Sequence, residues 1–86
     1  MPMNWDVAEV KVQGDAALWV RFHDGLEGIV TFLPTAFRGV FSRLSQSAEF
    51  RQARVQDGVL TWPGNLDLAP DAMHDAIAAH GQWVLD

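Results

Sequence analysis

Hydrophobic and polar positions alternate from Val7 to Val12, with Ala8, Val10 and Val12 on one face and Glu9 and Lys11 on the other. That is the period of a half-buried strand. Gly14-Asp15 follows as a turn pair. The alternation resumes at Leu18, Val20 and Phe22, which point inward, with Trp19 and Arg21 on the opposite face. Asp24-Gly25 is a strong two-residue hairpin signal. A third strand is predicted over 26–32, with Leu26, Gly28, Val30 and Phe32 on one face. Tight turns between three such strands predict an antiparallel meander. Pro34 ends it, because proline cannot donate to a ladder.

Beyond Pro34 the period changes. Phe37, Val40, Phe41, Leu44 and Ala48 fall at i, i+3, i+4, i+7 and i+11, one helical stripe. Gly39 weakens that helix by about 1 kcal/mol relative to alanine. Ser47 is placed to cap a single further turn ending near Phe50. Arg54-Val55-Gln56, Asp57-Gly58 and Val59 to Trp62 read as a second, short hairpin. Pro63-Gly64-Asn65 reads as a loop, and Leu66-Asp67-Leu68 is short and apolar at both ends. Pro70 suits the first position of a helix, where its missing N–H costs nothing. Met73, Ala76, Ile77 and His80 form the stripe expected to be buried, Gly81 is a left-handed stop, and 82–86 reads as a tail. The predicted fold is α+β: an antiparallel three-strand meander plus a second short hairpin, with a short middle helix and a C-terminal helix. Residues 1–86 read as a single domain, its two hairpins forming one sheet or two small ones. The expected core is Val10, Val12, Leu18, Val20, Phe22, Val30, Phe41, Leu44, Val55, Leu60, Met73 and Ile77.

Composition narrows the possible functions. A chain of 86 residues buries roughly 60% of its unfolded surface, enough for one modest core. The absence of cysteine excludes disulfides, thiolate metal sites and cysteine nucleophiles. No apolar run approaches the roughly 20 residues of a membrane helix. The start of the chain lacks a basic region followed by an apolar stretch, so a cytoplasmic protein without a signal peptide is expected. The net charge of −5 is unevenly laid out. Acids and bases balance up to residue 56, whereas the remainder carries Asp57, Asp67, Asp71, Asp75 and Asp86 with no lysine or arginine. In between, Arg38, Arg43, Arg51 and Arg54 face a single acid, Glu49. One reading is intramolecular, with the basic middle packed near the acidic end. The other is an acidic face that steers a basic partner protein.

The run Thr61-Trp62-Pro63-Gly64-Asn65-Leu66-Asp67-Leu68-Ala69-Pro70-Asp71 resembles the signature of a small bacterial family, domain of unknown function 2442. The likeness extends along nearly the whole chain. Gly39-Val40-Phe41-Ser42-Arg43-Leu44 matches a Gly-Val-Phe-x-x-Leu segment, and Phe50 to Val55 a Phe-x-x-x-x-Val run. The order Gly64-Asn65 departs from the Asn-Gly of many members, which bears on the turn after Pro63. The resemblance implies an α+β fold and no established activity. It also implies a helix-turn-helix domain in longer relatives, which is not expected in a chain closing at Asp86. Finally, it implies an antitoxin-like role with a small protein partner encoded by a neighbouring gene.

Little in the residues points to catalysis. Ser42, Ser45 and Ser47 lack a nucleophile-elbow context, tyrosine is absent, and Gly25 and Gly28 are not followed by a helix as a phosphate loop requires. His74, three residues after Asp71 and next to Asp75, makes only a weak divalent site conceivable. A solvated helix start explains both aspartates. The acidic balance disfavours nucleic acid, although the four arginines with Trp19 or Trp62 could hold a strand. Trp19 points away from the core-facing side of its strand. If it shares a surface with Trp5 and Trp83, a homodimer or partner site follows, since aromatic anchors dominate interface energetics. Trp62 is expected to pack under the loop leading to the last helix. Asn65 and Asp67 read either as turn-stabilising side chains or as a hook for a partner. The expectation is a non-enzymatic protein-interaction module with no catalytic, cofactor or metal residues and no cofactor. Its candidate partner-binding residues are Trp19, Trp62, Asp67, Asp71 and Asp75, and its partner is the neighbouring gene's product or a second copy. The alternative is a regulatory ligand- or nucleic-acid-binding domain.

Overall fold

The computed structural model describes residues 5–64 and 66–86. The start of the chain and Asn65 lie outside them, and with them the readings of a leader and of Asn65 as a hook. The fold is α+β, built from two sheets around one core. The first sheet holds β1 (Val7–Val12), β2 (Ala17–Phe22), β3 (Glu27–Phe32) and β7 (Gln82–Leu85), in the order β1-β2-β3-β7. The second holds β4 (Arg54–Gln56), β5 (Val59–Trp62) and β6 (Leu66–Leu68), in that order. Two short helices complete it: α1 (Ser47–Phe50) and α2 (Pro70–His80).

The meander forms as its alternation dictates. Leu18, Val20 and Phe22 are fully buried on the inner face, and Val30 and Phe32 join them. Leu18 pairs with Val30, and Val20 with Gly28. The β2–β3 turn has three residues rather than two. Phe22 N–H donates to Leu26 O (2.8 Å), enclosing His23, Asp24 and Gly25, and Gly25 alone takes a left-handed φ of 93°. The Asp24 carboxylate accepts from Leu26 N–H at 3.0 Å, so a side chain supplies the bond that a two-residue turn would make through backbone. In the second hairpin Asp57 and Gly58 both have positive φ, 53° and 78°, as a tight two-residue connection requires.

Where expectation and structure part, backbone geometry decides. In β1 the pairing shifts between Val7 (opposite Phe22) and Glu9 (opposite Arg21). This bulge removes Ala8 from the predicted inner row and turns Val7 into the core, 1% exposed. The predicted middle helix is replaced by two 3₁₀ segments, Pro34–Ala36 and Gly39–Ser45. Gly39 sits at φ 58°, a left-handed residue that no α-helix propagates through. Three residues per turn then align Phe41 with Leu44. Leu44 is fully buried, while Val40, part of the expected stripe, is 71% exposed. Ser47 is the first residue of α1 rather than its cap, and the residue before it, Gln46, makes no side-chain cap bond.

The C-terminal third contains more sheet than its sequence suggests. Leu66–Leu68 is a strand, β6, pairing antiparallel with β5. The expected tail is β7, which runs parallel to β3 with Val30 opposite Trp83 and Phe32 opposite Leu85. Helix α2 starts at Pro70 and ends at a left-handed Gly81, φ 77°, as predicted. It buries Met73 and Ile77, whereas His80 in its last turn is exposed. Gly28 is what lets α2 lie on the inner face. A side-chain carbon there would stand 2.7 Å from Ile77 Cγ2 and 2.8 Å from Gly81 O.

Of the expected core, Leu18, Val20, Phe22, Val30, Leu44, Leu60, Met73 and Ile77 are buried, while Val10, Val12, Phe41 and Val55 pack half-buried against them. Val7, Phe32, Ala36, Phe50, Trp62, Leu66 and Leu68 are also buried in that core. No helix among the described residues is long and apolar enough to cross a membrane.

Candidate functional site

The residues singled out in the sequence fall into three places. The first is the loop between β5 and β6. Trp62 is 1% exposed. Its indole Nε1–H donates to Phe50 O at 2.9 Å, and its ring centroid lies 6.1 Å from those of Phe32 and Phe50. Buried this way it has no surface to offer a partner, so it drops out of the candidate interface. On the other face of β5, Thr61 is also buried. Its hydroxyl lies 2.8 Å from Leu66 O and 2.6 Å from Asp67 Oδ1, so it ties β5 to β6 across the loop. Asp67 is thereby held in a turn-stabilising role, although it also lines a polar cleft of about 280 Å³ with Gln56, Asp57, Val59 and Thr61.

Gly64 gives this loop its left-handed turn. Its φ is 90°, and a side-chain carbon would lie 2.6 Å from Arg43 Nη1. The guanidinium of Arg43 is thus packed onto the loop backbone, with Nε and Nη2 buried and lacking hydrogen-bond partners among the described residues. Of the four arginines of the middle segment, Arg43 is half-buried here, whereas Arg38, Arg51 and Arg54 are exposed. Arg43 is spent on the loop, and Arg51 Nη2 pairs with Asp15 Oδ1 at 3.3 Å, an acid of the first third of the chain rather than the last. Arg38 and Asp86 border an apolar cleft of about 240 Å³ formed by Phe32, Ala36, Phe41 and Leu85.

The second place is where α2 meets the β2–β3 turn. His74 does not turn to Asp71 or Asp75. Its Nε2 lies 2.7 Å from Asp24 Oδ2, and its ring meets Phe22 edge-on at 4.8 Å between centroids. Asp71 Oδ1 instead accepts from Ala72 N–H at 2.9 Å in the first helical turn, and Asp75 is exposed. The Asp24 carboxylate is held below the usual carboxylate range, first by the Leu26 N–H bond and then by His74. Asp24 and His74 are fifty positions apart, and only the packing of α2 on the meander joins them, so local spacing could not reveal the pair. Among the described residues no three His, Asp or Glu side chains converge as a metal site would need.

The third place is the outer face of the four-stranded sheet. Cross-strand register sets Lys11, Trp19, Ile29 and Gln82 in one row, and Glu9, Arg21 and Glu27 in the next. Arg21 Nη2 bonds Glu9 Oε1 at 3.1 Å, and Lys11 Nζ stands 5.3 Å from the Trp19 ring centre. Trp83, opposite the buried Val30, is on the inner face. Trp19 and Trp83 therefore lie on opposite sides of the sheet, and the three tryptophans do not share a surface. Trp5, 38% exposed, precedes β1.

Two outcomes follow from these contacts. Replacing Asp67 with alanine removes a charge-assisted bond to a buried hydroxyl and is expected to cost about 1.5–3 kcal/mol. At roughly 4–8 °C per kcal/mol for a domain of this size, thermal unfolding should come at least about 6 °C earlier; an unchanged melting point would free Asp67 for a partner. Because folding lowers the proton affinity of Asp24, its contribution is fully present above the ordinary carboxylate range and disappears as pH falls through the lowered value. Urea midpoints of wild type and Asp24→Asn should accordingly differ at neutral pH and converge in acid. A gap constant with pH would show that the Asp24 charge is unimportant.

No curated protein and no solved structure matches the chain. A family described as "Protein of unknown function (DUF2442)" does match, over residues 7–79, from the first residue of β1 to the last turn of α2. The Trp-Pro-Gly loop, its Thr61–Asp67 closure and the Gly-Val-Phe segment that carries Arg43 all lie within that span, and this chain belongs to the DUF2442 family.

Proposed function

We propose that the chain is a non-enzymatic protein-interaction module, antitoxin-like as its family resemblance implies, with a small basic protein encoded beside it as partner. The observation that carries this is the open outer face of the four-stranded sheet. Both helices and the second sheet gather on the inner side, where every buried residue of β2 and β3 points. Trp19 and Ile29 are half-buried at the centre of a four-strand surface bordered by Glu9, Arg21 and Glu27. A central aromatic with a charged rim is the usual anatomy of a binding face. Asp71 and Asp75, exposed one turn apart on α2, give the domain an acidic flank that would accelerate encounter with a basic partner.

Co-expression with the product of the adjacent gene tests the reading. Wild type should copurify with it, and Trp19→Ser should weaken retention by about tenfold or more without moving the melting point. Asp71→Asn with Asp75→Asn should slow association and flatten its salt dependence. Failure of the wild-type pair to form, or full retention by Trp19→Ser, would contradict the proposal.

A further inference from the structure

The two edges of the four-stranded sheet are treated differently. The β1 edge carries Glu9, Lys11 and the bulge at Ala8, and its first residue donates Val7 N–H to Gly58 O of the second hairpin at 2.8 Å. Charges, bulges and cover are the devices that stop an edge from pairing with another chain. The β7 edge, Gln82-Trp83-Val84-Leu85, has no charge, no proline and no bulge. The elements that pack substantially against it are β3 and α2. Leu33 N–H donates to Leu85 O at 2.8 Å, so Leu85, and with it Trp83, directs its backbone groups to β3. Along a parallel strand the direction alternates. Gln82 and Val84 therefore point their N–H and C=O groups outward, with no backbone partner among the described residues. Val84 and the adjoining Leu33 are exposed apolar side chains at this edge, at 45% and 39%.

We propose that β7 pairs with β7 of a second copy, antiparallel about a two-fold axis at Trp83, to join two four-stranded sheets into one. The hydrogen-bonding phase selects the register. Outward groups must face outward groups, and setting Gln82 opposite the partner copy's Val84 satisfies all four residues of the pair with four bonds. That register places the two Trp83 rings, each half-buried on the inner face, as a cross-strand pair at the axis, where facing side chains come closest. It also brings the acidic Asp86 end of each strand beside the His80 end of the other. The seam carries no like-charge opposition, which is why a second copy fits this edge. Each strand is only about 13 Å long at 3.3 Å per residue, so the contact is small and the dimer is weak and concentration-dependent. Gln82 also ends the outer row of Trp19, but the seam uses its backbone and not the Trp19 side chain, so the two proposals are tested by different substitutions.

Sedimentation velocity on the purified chain, from about 10 µM to about 1 mM, spans the range in which weak contacts fill. The mass should climb from 9.5 kDa towards twice that value. Val84→Pro removes an outward N–H while leaving the β3 ladder intact, and should weaken association at least tenfold with an unchanged circular dichroism spectrum. A single-chain mass throughout the series overturns the proposal, as does a folded Val84→Pro chain that associates like wild type. Should that variant not fold, wild-type amide exchange decides. Protection of Gln82 and Val84 that rises with concentration supports self-pairing, and concentration-independent exchange at both overturns it. A chain that is monomeric alone and pairs through β7 only with a foreign strand also overturns it.

Discussion

The burial of Trp62 between the two sheets is the constraint on which the rest of the molecule depends. The three-stranded sheet is too small to hold a shape alone, and a four-stranded sheet with one wet face needs its other face covered. Trp62 meets both needs. Its ring lies edge-on to Phe32 of β3 and tilted against Phe50 of α1, and Phe32 in turn touches Phe37, Phe41 and Phe50. A large ring with a polar N–H can be buried cheaply only when that N–H is bonded, and the carbonyl of Phe50 at the end of α1 supplies the bond. One residue thus ties β5, β3 and the irregular middle of the chain together.

The residues around Trp62 are explained by the same demand. Thr61 and Asp67 close the loop from the solvent side, Gly64 gives the left-handed turn and the room for Arg43, and Pro70 restarts the chain as a helix. The Trp-Pro-Gly run within the span of the family match is therefore chiefly architectural. The architecture makes no demand on the outer row around Trp19, the exposed acids of α2 or the uncharged edge of β7.

The meander was readable because its information is local. Leu18, Val20 and Phe22 alternate without interruption, Asp57-Gly58 admits few conformations other than a tight turn, and Pro70 with Gly81 brackets a helix at both ends. The readings that failed required non-local knowledge. Phe37, Val40, Phe41 and Leu44 have helical spacing, yet a left-handed Gly39 begins a separate 3₁₀ segment after Phe37 and turns Val40 outward. Gln82 to Leu85 is too short to declare itself a strand until β3 lies beside it. Val7 enters the core only because β1 bulges against β2. The candidate site divides in the same way. Asp67 could be weighed as turn-stabilising from its neighbours, whereas the Asp24–His74 contact and the seat of Arg43 on Gly64 exist only once distant segments meet.

Trp62→Phe tests the central claim most directly, because it keeps an aromatic ring and removes both the indole bond to Phe50 and part of the contact with Phe32. Thermal unfolding of the two chains under identical conditions should show a loss of about 2–4 kcal/mol, which at about 4–8 °C per kcal/mol is a melting point lower by roughly 8–30 °C. A Trp62→Phe chain that melts within about 2 °C of wild type, a difference under ~0.5 kcal/mol, would show that the joint between the sheets lies elsewhere.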